Sequence, residues 1–153
     1  MKSLVFLTLI AVATANVGQF GDMIHCQTDR NFISSWLDYD GYGCYCGYGG
    51  TGKPIDDTDQ CCLEHDNCYG DVMKSGMCPY EDYVYIVLYK YRIFNCKTPS
   101  SQILCAGVNE YGKNDCPYPD CAAAMCQCDK AGAECFARAN YDKSLKDWPQ
   151  SKC

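Results

Sequence analysis

Histidine is nearly absent from this chain, and positive charge is in deficit. There are two histidines in 153 residues, and 13 lysines and arginines stand against 19 aspartates and glutamates, for a formal charge of −6. An acidic chain binds the nucleic-acid backbone poorly, so no nucleic-acid partner is expected. Net charge does not draw it to strongly anionic membranes either. Beyond residue 15 no stretch approaches the roughly 20 apolar residues of a membrane-spanning helix. Tandem repeats and low-complexity linkers are missing, which leaves no boundary for a second domain. Any histidine chemistry must fall on His25 or His65.

Cysteine, by contrast, is abundant. The 15 residues are about a tenth of the chain, the density of a disulfide scaffold. Residues 1–15, MKSLVFLTLIAVATA, read as a secretory signal peptide: Lys2 is the basic start, LVFLTLIAV the apolar run, and Ala13-Thr14-Ala15 the small-residue cleavage site. Residues 16–153 then form one domain, secreted into an extracellular, oxidising space where disulfides persist. The odd count leaves one cysteine over.

Residues 17–28 place Phe20, Ile24 and Gln27 at helical spacing and predict a short amphipathic helix. Six glycines and Pro54 make residues 38–55 a loop. Asp56 to about Val72 predicts a helix with acids in its first turn. Residues 83–94, YVYIVLYKYRIF, predict a strand or hairpin. Residues 97–118 read as loops. Pro119 to about Asn140 predicts a second long helix, with Pro at its start. The tail to Cys153 is irregular.

The cysteines relate the two long helices. Cys61 and Cys68 are seven residues apart, as are Cys128 and Cys135, and seven residues span about 10.5 Å of helix. If the helices run antiparallel, Cys61 can face Cys135 while Cys68 faces Cys128, a pair of staples that restrict the unfolded chain. His65 then lies between the staples, opposite position 131 and close to Asp129. A carboxylate there could hold the imidazole in one tautomer. Asp66 lies 100° further round and can point to the glycine loop.

Several motifs admit two readings. GYGGTGK at 47–53 matches the spacing of a phosphate loop, but Pro54 replaces the required Ser or Thr and no hydrophobic strand precedes it. An ordinary tight loop is one alternative. A calcium loop built from carbonyl oxygens is favoured, since calcium takes oxygen ligands and Asp66 follows within reach. The acidic repeat of an EF-hand is absent. A zinc site from Cys61, Cys62, His65 and Cys68 competes, although oxidising export favours bridged cysteines. Tyr69 and the tyrosines of 83–91 are core aromatics or hydroxyl donors to a buried Asp129. Val17, Phe20 and Ile24 are core, or line an apolar slot for an acyl chain.

The string YGCYCGYGGTGKPIDDTDQCCLEHDNCY at 42–69 resembles secreted phospholipase A2 of the pancreatic and elapid type. The resemblance covers C-x-C-G-x-G-G and D-x-C-C-x-x-H-D-x-C-Y, returns in CQCD at 126–129, and extends to QFGDMIHC at 19–26. It implies a mainly α, disulfide-rich fold: two long antiparallel helices cross-linked by disulfides, a short N-terminal helix, a calcium-binding loop and a small β-hairpin. The implied activity is calcium-dependent hydrolysis of the sn-2 ester of glycerophospholipids at a phospholipid aggregate or membrane surface. By resemblance, His65 is the general base that activates a water, Asp129 orients it, and Tyr69 supports Asp129. A second supporting tyrosine is Tyr83, Tyr85, Tyr89 or Tyr91, with Tyr89 favoured. Asp66 and the carbonyls of Tyr45, Gly47 and Gly49 are the implied Ca2+ ligands, with the Gly47 N–H as an oxyanion donor. The implied disulfides are Cys26–Cys96, Cys44–Cys153, Cys46–Cys62, Cys61–Cys135, Cys68–Cys128, Cys78–Cys121 and Cys105–Cys126, leaving Cys116 unpaired. Residues 106–120 are longer than the family pattern. The runner-up function is a toxin on the same scaffold, acting on a receptor or channel with little catalysis.

Overall fold

The computed structural model describes residues 15–153; residues 1–14, and with them nearly all of the signal-peptide reading, lie outside the described residues. Helix α1 spans Ala15–Gln27 and turns Met23 and Ile24 into the core. A single helical turn, α2, follows at Ser34–Leu37. The first long helix, α3, is Asp57–Ser75. Asp56 caps it, its carboxylate accepting the Asp59 N–H at 2.8 Å. Gly76 ends it in the left-handed region, at φ 76°, a conformation that costs glycine nothing. The second, α4, is Pro119–Arg138, with proline in the first turn, where its missing N–H has no intrahelical partner to lose.

Cys121, Met125, Cys128, Asp129, Gly132 and Phe136 recur every three or four residues along α4 and form its buried face. That face packs on both α1 and α3. Cys61–Cys135 and Cys68–Cys128 bridge α3 and α4, so the helices run antiparallel. The other bonds are Cys26–Cys96, Cys44–Cys153, Cys46–Cys62, Cys78–Cys121 and Cys105–Cys126. Cys116 is a buried free thiol. Zinc held by Cys61, Cys62 and Cys68 is ruled out, because all three sulfurs are consumed in disulfides.

The β structure differs from the sequence reading. Residues 83–94 do not make a hairpin by themselves: Glu81–Tyr85 is a turn of 3-10 helix, and only Tyr91–Phe94 is strand, β1. Its antiparallel partner, β2, is Gln102–Cys105, inside the stretch read as loops, with Tyr91 opposite Cys105 and Phe94 opposite Gln102. Four residues are too few to show an alternation. Burial of Ile103 and the Cys105–Cys126 bond to α4 hold β2 in place. The tail also reaches back, with Gly43 donating to the Leu145 carbonyl at 3.0 Å and Gln150 to the Gly43 carbonyl at 3.0 Å.

Candidate active site

The staples place His65 of α3 against Asp129 of α4. The imidazole Nε2 lies 2.7 Å from Asp129 Oδ1. Asp129 is fully buried, and such a carboxylate needs donors. Tyr69 donates to Oδ1 at 2.8 Å and Tyr89 to Oδ2 at 2.5 Å. Burial first, and then the charge of Asp129, push both phenols far above their ordinary pKa. Both therefore remain protonated donors at any working pH. Tyr89 is the second tyrosine on Asp129, as the sequence favoured; Tyr91 instead donates to Asp22 at 2.8 Å, and Tyr83 stacks edge-on against Tyr80 and Tyr118.

The ring of His65 is also held by aromatic contacts. Phe20 of α1 stacks on it at 4.3 Å between centroids and 6° between planes, and Tyr69 lies tilted at 4.5 Å. With Nε2 bound to Asp129, Nδ1 is the nitrogen free to serve a ligand, and no donor or acceptor among the described residues engages it.

His65 lines an open cavity of about 950 Å³. Val17, Phe20 and Ile24 of α1 line it too, with Met73 and Phe136. So do Asp66, Tyr45, Gly47 and Gly49. Of the sequence-flagged site residues, Asp129 and Tyr89 do not line this cavity; they join it through hydrogen bonds, Asp129 to His65 and Tyr69, and Tyr89 to Asp129. Desolvation pushes the Asp66 carboxyl up to about 6, while His65 pulls the other way. Among the described residues no donor reaches that carboxylate, nor the carbonyl oxygens of Tyr45, Gly47 and Gly49. Of the neighbouring carbonyls, Cys46 accepts from Gly41 at 2.8 Å and Gly52 from the Tyr45 hydroxyl at 2.8 Å, while those of Tyr48 and Gly50 accept from no donor among the described residues. Gly47 and Gly49 take φ of 125° and 84°, values that side-chain-bearing residues rarely adopt.

Three further residues build the site. Asp59, fully buried on α3, accepts the N–H groups of Cys44 at 2.9 Å, Tyr45 at 2.7 Å and Ile55 at 3.0 Å, and so clamps the glycine loop to the helix. Gly43 has no side chain because a methyl there would collide with this carboxylate. Gln19 of α1 grips the Tyr89 backbone, donating to its carbonyl at 2.7 Å and accepting its N–H at 3.2 Å. Buried Asn16 donates to the carbonyls of Val84 and Val87 at 3.2 and 2.7 Å and accepts from Tyr69 at 3.3 Å. For Asp59 a signal existed in the run DDTD at 56–59. For Gln19 and Asn16 there was none, since their partners lie about 70 residues away.

The profile of the phospholipase A2 family matches residues 17–146. An acidic phospholipase A2, DE-III, of Naja melanoleuca is 41% identical, covering 90% of this chain and 99% of its own. The basic phospholipase A2 nigexine of Naja pallida is 44% identical over 82% of this chain and 88% of its own. A phospholipase A2 of the starfish Acanthaster planci, AP-PLA2-II, is 35% identical over 100% of both chains. The chain belongs to the phospholipase A2 family. As such it is an ester hydrolase acting on phospholipids.

Proposed function

We propose that this protein is a secreted, calcium-dependent phospholipase A2 that cleaves the sn-2 ester of glycerophospholipids at an aggregate or membrane surface, with His65 activating a water. One observation carries the reading: a histidine held through Nε2 by a fully buried carboxylate, on the wall of an apolar cavity. Asp129, accepting from Nε2–H, fixes the tautomer in which Nδ1 is basic. Nδ1 takes the proton of a water as that water attacks the ester, and Asp129 stabilises the imidazolium that results. The proton then passes from Nδ1 to the departing alkoxide of the lysophospholipid. Val17, Phe20 and Ile24 exclude water from the acyl chain.

The donor set suits calcium. Calcium takes carboxylate and carbonyl oxygens, and Asp66, Tyr45, Gly47 and Gly49 offer four unmatched oxygen-bearing groups on one cavity. When bound there, calcium supplies charge that polarises the ester carbonyl and stabilises its oxyanion. The domain limits 16–153 and the removal of residues 1–15 belong to the same reading.

The test is fatty-acid release from phospholipid vesicles, with positional analysis of the products. Release with calcium, none with chelator, and fatty acid drawn from the sn-2 position are expected. Calcium-independent release, or sn-1 products, would sink the reading.

A further inference from the structure

Tyr89 reaches Asp129 from a stretch with little regular structure of its own. Residues 87–90 lie between the 3-10 turn and β1 and belong to neither. Side chains hold their backbone instead. Gln19 of α1 holds Tyr89. Lys90, the next residue, is held by the chain that follows β2. Its N–H donates to the Tyr111 hydroxyl at 3.0 Å, and its carbonyl accepts from Ala106 at 3.0 Å. Its ammonium donates to the Glu110 carbonyl at 3.2 Å, pairs with Asp115, and lies 5.6 Å from the centre of the Tyr111 ring.

That chain, longer than the family pattern, is shaped around the lysine. Val108–Glu110 is one turn of 3-10 helix, and the Gly107 N–H donates to the Glu110 carboxylate at 2.6 Å. The Asp115 carboxylate takes the Gly112 N–H at 2.6 Å as well as the Lys90 ammonium. The bond from Lys90, and then that from Gly112, hold the Asp115 carboxyl below its ordinary range. The Tyr111 ring packs half-buried against the core. The Cys105–Cys126 bond ties the start of the segment to α4, one turn before Asp129. An exposed ion pair by itself contributes little to stability. The place of this one is what matters, because it closes on the residue beside the tyrosine that serves Asp129.

We infer that Lys90, Tyr111 and Asp115 form a clasp that positions the Tyr89 hydroxyl on Asp129 and, through Asp129, the ring of His65. The inference rests on the hydrolase reading above and adds positioning residues to it. The peptide that joins Tyr89 to Lys90 is held on both of its polar atoms, its carbonyl by Gln19 and its N–H by Tyr111. The Tyr89 side chain is a lever on that peptide: a small rotation of the backbone moves the distant hydroxyl much more than the Cα. At 2.5 Å from a fully buried carboxylate, the hydroxyl has little room to move before the bond weakens. A misplaced base loses rate even when no reacting group has changed.

Lys90→Met removes the ammonium and keeps the aliphatic stem. Tyr111→Phe removes the acceptor of the Lys90 N–H. Turnover is measured on monomeric short-chain phosphatidylcholine at saturating calcium, where no lipid surface enters. Each variant is expected to lower kcat about threefold, the effect of one modest hydrogen bond, with KM and the thermal midpoint close to wild type. In a Tyr89→Phe background either change should lower kcat no further, since its route to Asp129 is gone. Proton NMR reads the same placement without substrate. Wild-type protein should show a downfield hydroxyl proton that Tyr89→Phe abolishes and Lys90→Met moves upfield. Wild-type kcat in both clasp variants, an undiminished second loss in the Tyr89→Phe background, or an unmoved hydroxyl proton overturns the inference. Absent calcium-dependent release by the wild type strikes the hydrolase reading instead, and the hydroxyl proton still shows whether the clasp places Tyr89.

Discussion

The two halves of the site are finished to different degrees. On the α3–α4 side, Asp129 has three partners, and the His65 ring has Phe20 stacked on it, Tyr69 tilted against it and a carboxylate on its edge. On the loop side, Asp59 fixes the backbone from below, yet Asp66 and the carbonyls of Tyr45, Gly47 and Gly49, residues that line the cavity, have no donor among the described residues. The polar satisfaction of one half is internal. In the other it is left to solvent, or to the proposed ion. A catalytic base gains from being held still before substrate arrives. A cation site cannot be satisfied in advance without competing with its ion.

The sharpest way to break the contrast is His65→Gln. It keeps a polar side chain beside Asp129 but removes the base, and vesicle hydrolysis should fall by about 10²–10⁴-fold, the contribution of a positioned acid–base group. The thermal midpoint in calcium should stay close to wild type. A variant with wild-type turnover would remove His65 from the chemistry.

Asp59→Ala tests whether the loop is held from below. One buried and two half-buried N–H groups lose their acceptor, at a cost of about 1–3 kcal/mol for any that stays buried and unmatched. Calcium affinity should drop with stability, while a calcium-saturated enzyme regains turnover. Equal loss of turnover at every calcium concentration would show that Asp59 serves the whole fold instead.

The smallest effect concerns pH. The Asp66 carboxyl is raised from 3.8 to about 6 by desolvation. The folded, calcium-free protein therefore holds this proton more tightly than the unfolded chain does. By linkage, the destabilising contribution of the group is absent below the unfolded value and complete above about pH 6. Urea midpoints in chelator should accordingly fall from this source as pH rises through that window, and Asp66→Asn should lose the trend. Calcium should reverse it, and its affinity should weaken as pH drops below about 6. Identical urea profiles for the wild type and Asp66→Asn would show no strain at this carboxylate.

The legible parts of the molecule were those with local signatures. Asp56 marks the start of α3 in chemical terms, though the helix runs past the expected Val72 to Ser75, and the spacing of Cys61, Cys68, Cys128 and Cys135 carries the helix register. The glycine loop and its neighbouring carboxylate were visible because they are contiguous. What stayed hidden depends on long-range packing. The strand Gln102–Cys105 owes its place to α4 and to its partner, and four residues display no period. Gln19 and Asn16 look like ordinary helix polars until the fold brings the 84–89 backbone to them. The 3-10 turn at Glu81–Tyr85 was masked by aromatic and β-branched composition, which tertiary packing overrode.

The Cys44–Cys153 bond sets an order in time. Its two sulfurs are separated by 109 residues, so the glycine loop lacks this covalent anchor until residue 153 has been synthesised. Cys61 and Cys68 can join α4 earlier, once residue 135 has emerged. The loop is not without a tie until then: Cys46–Cys62 joins it to α3 across only 16 residues, a bond that needs neither α4 nor Cys153. Of the loop's two covalent ties, the short-range one can therefore close first and the one to Cys153 last.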